Sequence, residues 1–161
     1  MDNNSFEVIR ENLRVIRENI GEALGKYRSS GDNTDIMAVT KTVPAETVNC
    51  VFDLGLSLLG ENRVQEYQSK AELYDKRADV HFIGHLQTNK VKYIINSMSM
   101  IQSVDSIKLA QEISRLAVGN NKVMDILCEV NIGGEESKNG ISPDQLGGLL
   151  QQISSLEGVR I

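Results

Sequence analysis

The chain has 161 residues, 40% hydrophobic and 24% charged, with a net charge of −5. That length fits one domain, 1–161, and the composition supports a packed core rather than global disorder. The acidic balance disfavours a nucleic acid backbone or an anionic membrane as partner, and no apolar run approaches the roughly 18 residues of a membrane span.

Aromatic residues make up 4% and Trp is absent, so the core must be aliphatic. The polar, acidic start, Met1-Asp-Asn-Asn-Ser-Phe-Glu, does not read as a signal peptide. Cys50 and Cys128 sit in apolar stretches and read as small buried hydrophobes, not a disulfide framework. The expected location is the reducing cytoplasm.

Residues 3–28 read as one helix, with Phe6, Ile9, Leu13, Ile16, Ile20 and Leu24 on one apolar face. Asn4 or Ser5 is the expected cap, Gly31 follows the end, and 29–34 is a polar loop. Asp35-Ile-Met-Ala-Val-Thr-Lys41 is apolar without alternation until its end, as in a strand covered on both faces. Pro44 opens a helix over 45–54, which Gly55 ends. A second strand is expected at 56–60 and a second helix at 63–78. The third strand covers 80–84, followed by a short helix at 88–96. The fourth strand covers 98–104, and Asp105 or Ser106 caps a helix reaching about Asn120. The fifth strand spans 124–132, a glycine-rich loop runs over 133–140, and Ser142-Pro143 opens a helix ending near 156–158. Residues 159–161 begin a sixth strand.

Regular β/α alternation implies a parallel sheet with right-handed crossovers. An open doubly wound sheet and part of a (β/α)8 barrel both satisfy it. No Gly-x-Gly-x-x-Gly follows the first strand, so the dinucleotide form of the open sheet lacks support. A complete barrel needs about 250 residues, so the expectation is a barrel broken off after about five β/α units.

Either architecture puts function at the C-terminal ends of the strands. Polar side chains follow all five: Lys41, Glu61-Asn62-Arg63, His85 to Lys90, Ser103 to Asp105, and Asn131. Lys41 stands out. A lysine fixed at the end of a buried strand loses hydration, which favours the neutral amine that attacks an aldehyde. Position alone leaves open a surface lysine that snorkels from the strand end. His81 and His85 lie on a strand and its exit, and no complete metal set accompanies them. His81 is expected to pack in or beside the sheet.

Four segments sharpen this. Ala38-Val-Thr-Lys-Thr-Val-Pro44, Gly60-Glu-Asn-Arg-Val-Gln-Glu66, His81-Phe-Ile-Gly-His-Leu-Gln-Thr-Asn-Lys90 and Asn131-Ile-Gly-Gly-Glu-Glu-Ser-Lys-Asn-Gly140 occur in order. Together they resemble the pyridoxal phosphate homeostasis proteins, single-domain relatives of the alanine racemase N-terminal barrel. The resemblance implies a TIM-barrel-type fold with an extra N-terminal helix, and pyridoxal 5′-phosphate (PLP) held as a Schiff base on Lys41. It implies that Asn62, Ile83, Ser103 and Asn131 approach the cofactor, with Lys138 near the entrance. It also implies a carrier or buffer of PLP without catalytic turnover, delivering to PLP-dependent apo-enzymes.

The family pattern continues beyond residue 161 into segments that bind the phosphate. A chain keeping the lysine without them is expected to hold PLP weakly, and to self-associate through exposed sheet edges. Two other readings remain at this point: a fragment or interaction module without stable cofactor binding, and a PLP-dependent racemase. The racemase needs an opposing acid/base, and Tyr27, Tyr67, Tyr74 and Tyr93 all fall in expected helices away from the strand ends.

Overall fold

A computed structural model describes residues 3–27, 34–135 and 137–161. The expected caps Asn4 and Ser5 (by their side chains), Gly31 and most of the 29–34 loop lie outside the described residues, as does Glu136. In chain order the elements are α1 (Asn3–Tyr27), β1 (Ala38–Val39), α2 (Ala45–Asn49), β2 (Leu58–Glu61), α3 (Val64–Lys70), β3 (Asp79–Phe82), β4 (Met100–Val104), α4 (Ile107–Gly119), β5 (Met124–Cys128), α5 (Pro143–Ile153) and β6 (Val159–Arg160). Short 3-10 turns at Phe52–Leu54, Ala71–Leu73 and Thr88–Tyr93 complete the crossovers.

The sheet is parallel throughout, in the order β1-β2-β3-β4-β5-β6. Strand order never reverses, so this is the wall of a barrel and not a doubly wound sheet, whose order turns back at a switch point. That settles the choice the β/α pattern had left open.

Paired residues of a parallel sheet point to the same face. Leu59, Val80, Phe82, Ile101, Met124 and Ile126 are all at most 5% exposed and face the helices. They pack with Val48, Phe52, Val91, Ile94, Leu109 and Ile113 in one aliphatic cluster. Burying a side chain such as Ile101 contributes about 1.5–3 kcal/mol. The opposite face carries the row Val39, Gly60, His81, Met100, Asp125 and Arg160. This concave face is open: Val39 is 51% exposed and Leu127 45%.

Several elements differ from their sequence expectation. The ladder of β1 is short: after the Thr40 N–H bonds Gly60 O at 3.0 Å, the chain turns and the Val43 N–H closes on Thr40 O at 3.1 Å. α3 stops eight residues early. Asn49 anchors the exit, donating to Leu73 O at 2.8 Å and accepting from the Asp75 N–H at 2.9 Å. Ser106 and Ser142 occupy the caps of α4 and α5 with extended backbones but without side-chain cap bonds. Cys50 and Cys128 are half-buried rather than buried, and free. Burial pushes the Cys128 thiol up. Among the described residues, no helix is long and apolar enough to cross a membrane.

Candidate functional site

The polar strand ends gather on one rim of the wall. Lys41 occupies the turn after β1 and is exposed. Its place is not at the end of a buried strand, so the loss of hydration expected from sequence is not provided by β1. The turn is tight: Thr42 has φ 61°, a left-handed conformation uncommon for a branched side chain. It is held from outside the strand. The Thr42 N–H donates to Glu66 Oε1, and Lys70 Nζ donates to the carbonyl oxygens of Thr40 at 2.8 Å and Val43 at 3.3 Å.

Beneath the turn lies a buried polar cluster that the sequence reading did not single out. Glu61 is 0% exposed and Lys70 7%. Lys70 Nζ lies 3.0 Å from Glu61 Oε1 and 2.9 Å from Glu66 Oε1. Glu61 Oε1 also accepts from Thr40 Oγ1 at 2.6 Å and from the Tyr74 hydroxyl at 2.5 Å. Burial alone would lower Lys70, but hydrogen bonds to Glu66, Glu61 and Tyr74 prevail and raise it to about 12. Burial, then the bond to Glu61, pushes Tyr74 up to about 12 as well. Tyr74 does not stand in a helix remote from the strand ends, as its sequence position suggested. The chain leaves the 3-10 turn at Tyr74 in an extended conformation, which lets the hydroxyl reach the end of β2. A sequence clue to the cluster existed: Glu61 follows Leu58-Leu-Gly60 without a break, and an acid inside an apolar strand needs a partner.

Asn62, two residues past Gly60, continues the concave face. Gly84 presses against its backbone: a β-carbon at Gly84 would stand 2.2 Å from Asn62 O. Ile83 lies over Gly60, where a β-carbon would meet Ile83 Cδ1 at 2.9 Å and Met37 Sδ at 2.8 Å. Deeper on the same face, Gln102 Nε2 and His81 Nδ1 are 2.8 Å apart, and Asp125 pairs with Arg160 at 2.6 Å. His81 is therefore half-buried on the sheet's open face. His85, at the exit of β3, faces Asp105 with Nδ1 3.7 Å from Oδ2.

Ser103 is 2% exposed and lies where the β4–β5 register shifts between Ile101 and Val104. Asn131 and Lys138 are brought together. The Asn131 amide donates to Glu135 O at 2.9 Å and to Lys138 O at 3.4 Å, closing the loop that carries the exposed Lys138. Gly140 ends that loop at φ 107°, with its Cα so near the Asn131 N that a β-carbon would stand 2.7 Å away.

Four buried side-chain atoms have no hydrogen-bond partner among the described residues: Glu61 Oε2, Asn62 Oδ1, Ser103 Oγ and Glu129 Oε2. All four sit at the C-terminal ends of β2, β4 and β5. A buried unpaired polar group costs about 1–3 kcal/mol; Glu61 belongs to the cluster on the helix side of the sheet, while Asn62 Oδ1, Ser103 Oγ and Glu129 Oε2 at the strand ends match a site that a polar ligand completes. A hollow of about 590 Å³ lies past the C-terminal ends of β4 and β5, among Asp105, Ile107, Ile141 and Leu149. One of about 460 Å³ opens among Arg17, Asp35, Ser57 and Asp79 at the opposite end of the strands. A smaller one, about 160 Å³, lies on the rim between Asn62, Arg63, His85 and Lys90.

The sequence model of the family described as alanine racemase, N-terminal domain, matches residues 8–161. The pyridoxal phosphate homeostasis protein of Aquifex aeolicus is 41% identical over 94% of this chain and 67% of its own length. A protein from Bifidobacterium adolescentis, described as unknown, has a crystal structure that superposes with a TM-score of 0.92 at 32% identity, covering 100% of this chain and 70% of that one. PipY of Synechococcus elongatus, in a structure with PLP bound, superposes with a TM-score of 0.71 at 32% identity, covering 88% of this chain and 67% of that one. The chain spans about two thirds of the length of the curated relatives it matches. By this sequence similarity, and by a barrel wall that carries the motifs at its strand ends, the chain belongs to the alanine racemase N-terminal domain family and, within it, to the pyridoxal phosphate homeostasis proteins.

Proposed function

We propose that the protein binds pyridoxal 5′-phosphate on the rim of the barrel wall, with Lys41 as the Schiff-base amine. The observation that carries this is an exposed lysine, clamped in a turn with a left-handed Thr42, on the rim where Asn62 Oδ1 and Ser103 Oγ are buried without partners among the described residues. PLP supplies an aldehyde, which condenses with a primary amine and releases water. The chain's own residues do the rest. Lys41 presents the amine, Ile83 offers an apolar surface, and Asn62 and Ser103 offer unpaired polar atoms. Asn131 spends its amide on the 131–140 loop, so its contribution is to hold Lys138 at the entrance. The bound PLP structure of PipY and the names of the curated relatives support the same ligand.

The reading extends to a carrier or buffer that delivers PLP to PLP-dependent apo-enzymes, without turnover of its own. A racemase needs a second acid/base group over the ligand. Tyr74 does not offer one, since its hydroxyl is held by Glu61 behind the sheet. The free cysteines suit a reducing compartment, and the cytoplasm is the proposed location.

The test is a PLP titration of the protein and of Lys41→Ala, followed by absorbance of the lysine-bound chromophore. A band that appears with the parent chain and is absent from the variant is expected. Equal spectra from the two would overturn Lys41 as the ligand, and no band at all would favour a module without stable cofactor binding.

A further inference from the structure

The buried cluster beneath the Lys41 turn joins Glu61, Lys70, Tyr74 and Thr40, with Glu66 at its edge. An ion pair shielded from water is a poor source of stability, because desolvating both charges offsets their attraction; apolar residues of the same shape do as well or better. What such a pair supplies is direction, because an ammonium must aim its hydrogens at fixed acceptors. In this chain the acceptors are not spread over the core. Lys70 Nζ bonds the carbonyl oxygens of Thr40 and Val43, the two residues that bracket Lys41 and Thr42. Its ion-pair partner Glu66 takes the N–H of Thr42 through Oε1, the same oxygen that faces Lys70. Glu61, fixed by Thr40 Oγ1 and Tyr74, holds the ammonium from the other side. Both ends and the middle amide of the turn are thereby tied to α3, the ends through Lys70 and the amide through Glu66. The lysine at its tip makes none of these bonds.

We propose that Lys70, aimed by Glu61 and Glu66, is a positioning residue for Lys41: it fixes the Thr40–Val43 turn so that the Lys41 amine is offered to an aldehyde ligand in preference to the other surface lysines. The inference rests on the reading of Lys41 as the PLP amine.

Lys70→Met keeps an unbranched side chain one atom shorter and removes the charge. Because that variant leaves Glu61 buried without its cation and can fail to fold, Glu66→Gln is made beside it: the Glu66 side chain is 22% exposed, and the change preserves its shape. Two measurements apply to each. In ligand-free protein, amide hydrogen exchange at Thr42 is expected to speed up about tenfold, the scale of one lost hydrogen bond. In the second, PLP is added, the imine is reduced with borohydride, and the labelled lysines are mapped. The share of label on Lys41 is expected to dominate in the parent chain and to fall toward that of the other exposed lysines in the variants.

Faster Thr42 exchange with an undiminished Lys41 share overturns the positioning role and leaves PLP binding at Lys41 intact. Unchanged exchange in a folded variant overturns it at the level of the turn itself. A parent chain whose label shows no preference for Lys41 overturns both the inference and the reading beneath it.

Discussion

Gly84 lies against Asn62 so closely that a β-carbon on Gly84 would stand 2.2 Å from the Asn62 carbonyl oxygen and 2.7 Å from its Cα. The neighbour is backbone and cannot swing aside. Gly84→Ala is therefore expected to destabilise the chain by about 1–3 kcal/mol, the usual scale of overpacking, and to displace Asn62 from the rim. A urea melt reads the first effect, and the loss of the lysine-bound PLP band at unchanged Lys41 reads the second.

Lys41 is exposed, and its side chain takes no part in the bonds that fix its turn. Lys41→Ala is expected to leave stability within about 0.5 kcal/mol of the parent chain. Equal thermal midpoints, beside a lost PLP band, would separate ligand binding from folding. A large drop in the midpoint would mean that the lysine serves the fold.

The Lys70 ammonium beside Glu66, with the Thr42 N–H, holds the Glu66 carboxyl below the ordinary glutamate range. A carboxylate whose folded pKa is depressed stabilises the fold above its unfolded value, about 4.3, and loses that stabilisation as pH falls through the lower folded value. Urea midpoints are thus expected to fall below about pH 4.3, with part of that fall absent in Glu66→Gln. Parallel acid limbs in the two proteins would remove Glu66 from the account.

The outer edges of β1 and β6 have no strand neighbour among the described residues, and Val39 and Leu127 face outward on the open concave side. Unpaired parallel edges beside exposed apolar side chains favour pairing between chains. The 161-residue chain is expected to run above its monomer mass in size-exclusion chromatography with light scattering. A monomer across the micromolar range would refute this.

Asn131 closes the loop that ends at Gly140. Asn131→Ala is expected to speed trypsin cleavage after Lys138 several-fold, because local opening governs proteolysis of exposed loops. Cleavage at the parent rate would show that Gly140 and the Ile141 ladder bonds suffice.

The order of strands was legible in the sequence because each apolar run is followed by a helix signal and a polar strand end. The rim position of Lys41 was legible for the same reason. Its exposure agrees with the surface lysine that position alone left open; the bend at Thr42 was not legible, since it depends on Glu66 and Lys70, which come from the next β/α unit. Glu61, Lys70 and Tyr74 meet across separations with no period of 2 or 3.6 to mark them, so pattern reading placed Tyr74 in a helix. α3 is shorter than its sequence pattern implies because Asn49, a residue of the preceding helix, fixes the chain at Leu73 and Asp75. The same limit applies to the half-burial of Cys50 and Cys128, which depends on how far the neighbouring elements cover them.

Because the strand order never turns back, each strand adds one stave to the wall and one address on its lip. Lys41, Asn62, Ile83, Ser103 and Asn131 each occupy a successive address, whatever the length of helix between them. Crossovers on the outside can differ in length and winding, α in Ile107–Gly119 and 3-10 in Thr88–Tyr93, without moving a neighbour along the lip. The helical layer and the lip are in this way separable: a change in the winding or length of a crossover leaves the strand-end positions on which the proposed ligand site depends at fixed strand number.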